Sequence, residues 1–153
     1  MNQPADGRSL LLIPILCATL VHAQALDFQL QTHPDCPIAL LNFAPSTIRS
    51  EADRRRFLTV KNESDKIAAA VVFQQTIGDG PAAEIVTIER VSIIIRPRET
   101  KRLSVSIRDV SNRLQAAVNA GEAAGKPVLS VAVVEFTDGS AWHAPLILKS
   151  ETR

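Results

Sequence analysis

The chain has 153 residues, with 17 Lys and Arg against 16 Asp and Glu and a formal net charge of +1. A balance this close to neutral removes long-range attraction as a reason to bind nucleic acid or an anionic membrane. The length suits one domain with its own hydrophobic core, and no repeat or low-complexity tract marks a second.

In chain order, a polar opening ends at Arg8, and Leu10 to Val21 form the apolar run "LLLIPILCATLV", followed by "VHA". This is the pattern of a secretory signal peptide over residues 1–23, cut after Ala23 or, at the equivalent "AQA", after Ala25. The run is about 12 residues and is interrupted by Pro14, whereas a membrane span needs roughly 17 to 25. Leu16 stands before Cys17 where a lipid-modified cysteine wants a small residue. Residues 24–153 are therefore expected as one secreted or periplasmic domain, with no stable membrane insertion after cleavage. Cys17 leaves with the signal and Cys36 remains alone, so no internal disulfide forms. A buried thiol and a monomer are the expectation, with a Cys36-linked dimer as the alternative.

After the cut the hydrophobic period is two. "LDFQLQT" puts Leu26, Phe28 and Leu30 on one face, "FLTVKN" does the same with Leu58 and Val60, and "KRLSVSIR" with Leu103, Val105 and Ile107. These are expected as antiparallel strands with one wet face. Longer apolar runs, "IAAAVVFQQTI" from Ile67, "EIVTIERVSIII" from Glu84 and "VLSVAVVEF" from Val128, predict central strands covered on both sides or curving across a core. Turn residues separate them at "NESDK", "GDGP", "RPRET" and Asp138-Gly139. One segment breaks the period: "DVSNRLQAAVNAGEAAGKP" predicts a crossover helix capped by Asp109 or Ser111. Val110, Leu114 and Val118 lie on its apolar side, and it stops near Gly121 or Gly125. The fold class is all-β, an antiparallel sandwich of about seven or eight strands with one short helix.

The stretches "LTVKNESDKIAAAVV", "IIIRPRETKRLSVSI" and "VVEFTDGSAW" together resemble the immunoglobulin-like and fibronectin III-like sandwich domains that bacteria export. The resemblance runs from about Phe57 onward. It implies a binding, structural or assembly role and carries over no catalytic residue. Arg98 stands where such domains often place glycine after proline, and the chain has no tyrosine for a tyrosine corner.

The chain holds no G-x-S-x-G, H-E-x-x-H, phosphate-cradling glycine loop or C-x-x-C, so the common nucleophilic, zinc and nucleotide chemistries have no scaffold in it. No cofactor is expected. His33 and Cys36 in "THPDCP" have the spacing of half a metal site, with His143 as the other strong ligand, but a Pro-shaped turn explains the motif as well. Asp35, Glu135 and Asp138 are the carboxylates that could meet as an acid–base pair. Arg54 to Arg56 form a small basic cluster without the aromatic platform and wide basic field of a nucleic-acid surface. Asn62 in "NES" matches a glycan acceptor.

The chain's one tryptophan follows the Asp138 turn in "DGSAWHAPLIL". Alternation places Trp142, Ala144, Leu146 and Leu148 on one face, expected against the core, and His143 on the other. Asp138, His143 and Trp142 are the candidate surface residues. The expected function is a noncatalytic binding or structural module that meets a protein partner. The alternative is an assembly or chaperone-like protein that pairs through a strand edge, with a loop-carboxylate hydrolase as a remote third.

Overall fold

The computed structural model describes residues 27–45, 55–78 and 80–145, so the expected signal segment, Leu146 and Leu148 lie outside the described residues. Two sheets share the described chain. The smaller holds β2 (Ile38–Pro45), β3 (Arg55–Asn62) and β6 (Thr100–Ser106) in the order β2-β3-β6. The larger has the order β1-β7-β4-β5, from β1 (Gln29–Gln31), β7 (Pro127–Phe136), β4 (Ala68–Ile77) and β5 (Glu84–Ile95). On β7 also lies β8 (Ala141–His143), and one helix, α1 (Arg108–Asn119), joins β6 to β7.

Alternation explains the smaller sheet directly. Leu58 and Val60 of β3, Leu103 and Val105 of β6, and Ile38 and Leu40 of β2 are buried, and their neighbours in sequence face water. They meet Val71 and Phe73 of β4 and Leu129, Val131 and Val134 of β7 in a single apolar cluster. Burial of those side chains, each worth about 1.5 to 3 kcal/mol, is what holds the two sheets face to face. A buried amide bridges them as well: Gln75 Nε2 of β4 donates to the Ser106 carbonyl of β6 (2.7 Å).

Three expectations need correction. β1 is parallel to β7, with Gln29 opposite Val128, because it reaches the larger sheet from outside any hairpin. The helix starts at Arg108 after Ile107, with no side-chain cap from Asp109 or Ser111, and Ser111 is buried. Its hidden side is Val110, Ser111, Leu114 and Ala117, while Val118 is 62% exposed. At 3.6 residues per turn, a residue eight positions past Val110 is rotated about 80° from it, whereas one seven positions on returns within about 20°. Of the two stops expected, Gly121 and Gly125, Gly121 is the one that ends the helix. With φ +70° it lets its own N–H reach the Val118 carbonyl (3.1 Å) and the Glu122 N–H reach Ala117 (2.9 Å), a Schellman closure.

The third correction concerns β5. The run from Glu84 is an edge strand, paired with β4 alone, and not a covered central one.

The turn between β5 and β6 shows what replaces glycine at Arg98. Its φ is +63°, and the conformation is held by its own N–H donating to the Asn62 carbonyl (2.9 Å) and its guanidinium meeting Asp65 (3.1 Å). Asn62 is the node of this corner. It is fully buried, with Nδ2 donating to the Lys66 (2.7 Å) and Ile95 (3.0 Å) carbonyls and Oδ1 accepting from Ser64 N–H (3.0 Å). In the folded chain that amide nitrogen is committed to two carbonyls, so "NES" here is corner architecture.

Candidate interaction surface

The hairpin of β7 and β8 carries the three candidate residues. Its connection, residues 137–140, is longer than a two-residue turn: Phe136 N–H donates to the Ser140 carbonyl (2.9 Å), and Gly139 takes φ +83°. Register then puts Trp142 opposite fully buried Val134, and His143 opposite Val133. Trp142 is half-buried and packs against the core cluster, and its indole N–H donates to Asp35 Oδ2 (3.4 Å). His33 flanks the indole with ring centroids 6.1 Å apart. His143 points the other way and is exposed. The face assignment made from alternation is thus what the register shows for both residues.

Asp138 closes the connection. Its carboxylate accepts from the Ser140 hydroxyl (2.5 Å) and N–H (2.9 Å) and meets Lys66 Nζ at 2.9 Å. Those bonds, the Ser140 hydroxyl first, hold its pKa well below the ordinary carboxylate range. Lys66 also donates to Ser140 Oγ (2.7 Å) and lies 5.4 Å from the Phe136 ring. A serine between a lysine and a carboxylate has the composition of a nucleophile site. Here Lys66 and the Ser140 hydroxyl both bind the Asp138 carboxylate, and the trio is a clamp on an exposed loop.

The remaining candidates are engaged one by one. Glu135 binds Arg90 through both oxygens (2.9 and 2.5 Å) and has its pKa lowered by that pair. Asp35, Glu135 and Asp138 thus face three different partners, and no acid–base pair is assembled from them. Cys36 is buried, and its thiol donates to the Ile38 carbonyl (3.2 Å). Burial pushes its pKa up to about 11, which suppresses the thiolate that oxidation or metal binding needs. Arg55 is drawn to Glu89 (3.3 Å) and to the Ser104 hydroxyl and carbonyl (both 2.8 Å). Arg56 lies 5.8 Å from the Phe28 and Phe43 ring centroids, and its pKa is lowered by burial. The basic cluster is thereby spent on the fold, with Arg54 outside the described residues.

The surface that these residues do not occupy is the far side of the larger sheet and its β5 edge. Ile85, Ile88 and Ile94 of β5 are 57%, 60% and 50% exposed. Alternation alone would put Ile85 and Ile88 on opposite faces. A register shift between Gln75 and Thr76, which face Thr87 and Ile85, adds one residue to β5 and returns both isoleucines to the outer face. A second shift, where Ala68 and Ala70 face Ile95 and Ser92, adds another, leaving residues 87–92 regular. No strand lies beyond β5 among the described residues. Two glutamates reach across instead: Glu89 accepts from the Ser106 N–H of β6 (2.9 Å), and Glu84 pairs with Arg113 of α1 (3.2 Å).

On the same outer face, toward β1 and β8, lies an open concavity of about 740 Å³ whose polar lining includes Gln29, Gln31, Gln74, Thr76, Ser130 and His143. His143 therefore belongs to a surface, Trp142 to the core margin and Asp138 to a loop clamp. Sequence reasoning missed the β5 edge. Ile88, Arg90 and Ser92 on one face signal in the sequence that this face is wet, since a strand covered on both sides would not carry them, but they do not signal that the strand lacks a neighbour.

Comparison with family models, curated proteins and solved structures finds no match to this chain.

Proposed function

We propose that the protein is an exported, noncatalytic binding module with an immunoglobulin-like β-sandwich fold, acting through a protein-facing surface on the larger sheet. The partition of strands supports the sandwich: β3 between β2 and β6 faces β4 between β5 and β7, so β3 to β4 and β6 to β7 each cross from sheet to sheet. Export rests on the residue 1–23 signal pattern. The surface reading is carried by one observation, the three exposed isoleucines on a strand with a free margin. Large aliphatic side chains gathered at a sheet edge are what partner surfaces use, and what monomers without partners avoid.

The β5 edge also favours a specific mode. A partner strand pairing with residues 87–92 would take up main-chain groups that β4 does not use, and Ile88 would contact its side chains. This is the strand-augmentation alternative, with the two irregularities in β5 confining the register.

The test is capture of partner proteins from the exported fraction by wild type and by Ile88→Lys. The expected result is a partner band with wild type that is lost with Ile88→Lys while the two melts coincide. Equal capture by both proteins would end the assignment of this surface.

A further inference from the structure

The outer face of the larger sheet carries hydrogen-bonding side chains in a regular array. Gln31 of β1, Ser130 of β7 and Gln74 of β4 stand directly opposite one another, and Gln29, Val128 and Thr76 form the next row two residues along. Directly opposite residues share a face, so the array repeats about every 4.8 Å across the strands and about every 6.7 Å along them. None of the side chains of Gln29, Gln31, Gln74, Thr76 and Ser130 is hydrogen-bonded to another described residue. The Gln75 amide, one position on and facing inward, is by contrast spent on the Ser106 carbonyl.

The array lies in a hollow. A register shift between Val72 and Phe73, which face Val133 and Val131, leaves Ala132 as an extra residue in β7, and the Ala144 N–H donates to the Ala132 carbonyl (2.8 Å) where β8 ends. An extra residue bends its strand, and the side chains at this bend, Ala132 and Ala144, are small. The resulting concavity of about 740 Å³ falls within the range of roughly 300 to 1,000 Å³ in which proteins hold small ligands.

Charge narrows the choice of ligand. Among the described residues no Asp, Glu, Lys or Arg lines the concavity, although such residues make up 22% of the chain. Charges on the adjoining rows are paired or turned away: Arg90 is held by both carboxylate oxygens of Glu135, and Glu84 reaches Arg113 on α1. An ionic ligand would lose hydration here with no opposite charge to replace it. A ligand built of hydroxyl groups fits, because each hydroxyl both donates and accepts, and a carboxamide can donate to one hydroxyl while accepting from the next. Val128 and Val133 supply apolar surface between the polar groups, against which the C–H face of a sugar can rest. No phenylalanine or tryptophan lines the hollow among the described residues. Neutral hydrogen bonds made in competition with water contribute little singly, so several must act together and the ligand must extend across the array.

We propose that this concavity is a binding site for a neutral linear oligosaccharide, held by Gln31, Ser130 and Gln74 in one row and by Gln29 and Thr76 in the other. It goes beyond the protein-facing surface at β5, whose Ile88 lies on the far side of Gln74 and is not used here. Sugar binding and partner capture are separate readouts, so either reading can fail alone.

Nuclear magnetic resonance of the isotope-labelled protein tests it, by titration with cellotetraose, maltotetraose and N-acetylchitotetraose. The expected result is that at least one of the three moves the side-chain amide resonances of Gln31 and Gln74, with a dissociation constant on the order of 1 mM. A tetramer of galacturonic acid should move neither. Gln31→Glu and Gln74→Glu keep the shape and replace a donor by a charge, so each should weaken the binding at least about tenfold while the melts coincide with wild type. A lowered melt for Gln74→Glu leaves the decision to Gln31→Glu, whose side chain is exposed. Gln115→Glu, on α1, should leave the binding unchanged. Absence of shifts with all three sugars at about 20 mM would overturn the proposal. So would equal shifts with the galacturonate tetramer, or sugar binding that survives in the folded Glu variants.

Discussion

The larger sheet has two margins of similar length and opposite treatment. β7, ten residues long, has its margin covered by two three-residue strands, β1 and β8, each fastened by an aromatic side chain, Phe28 and Trp142. β5, twelve residues long, is bridged among the described residues through the carboxylates of Glu84 and Glu89 and keeps three isoleucines in water. Very short strands close an edge when a large ring beside them reaches the core, since ring burial supplies what three ladder positions cannot. Charged side chains satisfy individual backbone groups and leave the apolar outer face uncovered.

Phe28→Ala is expected to show the largest effect, a loss of about 3 kcal/mol, because it removes a nearly buried ring and releases β1 with it. Urea denaturation measures this, and a loss below about 1 kcal/mol would mean that β1 is held by its ladder and not by its anchor. Trp142→Ala should cost less, about 2 kcal/mol, since its ring is half-buried and falls short of the range for core aromatics. His143→Ala, on the opposite face of the same strand, should stay within about 0.5 kcal/mol. Equal losses for the two would erase the distinction between anchor and surface on β8.

The connector between β1 and β2 gives a pH-dependent version of the same contrast. Cys36 has its folded pKa raised to about 11, above the value of about 8.5 expected unfolded. The folded state holds the thiol proton more tightly, so this contribution to stability is complete below about pH 8.5 and is lost as pH rises toward the folded value. Melting temperatures of wild type should therefore fall more steeply between about pH 8 and pH 10.5 than those of Cys36→Ala. Parallel curves would place the thiol in contact with solvent. The smallest stability effect is expected on the open margin: Ile88→Lys should shift the unfolding free energy by less than about 0.5 kcal/mol. A loss comparable to that of Phe28→Ala would show that β5 is packed by something on its outer face, and would remove the contrast altogether.

Alternation made β3 and β6 legible because one face of each meets the core and the other meets water, so Leu58, Val60, Leu103 and Val105 keep the period of two. The same logic set Trp142 inward and His143 outward before any pairing was considered. β5 defeats it for an identifiable reason. Its two extra residues shift the phase within a single strand, so Ile85 and Ile88, three apart, share a face that simple alternation denies them. Val118 was misplaced by the analogous error on the helix, where eight positions do not complete a whole number of turns. Asn62 shows the limit for short motifs. The tripeptide fits a glycan acceptor, and burial behind Lys66 and Ile95 commits the amide elsewhere.

By itself the sequence determined that strands dominate, where the turns and the single helix lie, and that the helix stops at one of two glycines, Gly121 or Gly125. Each of these depends on a few adjacent residues, through period, backbone freedom or the missing N–H of proline. The tertiary structure alone decided that β5 is a margin, that β1 runs parallel to β7, and that Asp35, Glu135 and Asp138 face separate partners. Those properties depend on which distant segment lies alongside, as Gln29 lies beside Val128. A strand's own residues specify which of its faces is apolar, but its two margins present the same backbone N–H and C=O groups whatever the side chains, so neighbours are chosen by the packing of the whole core.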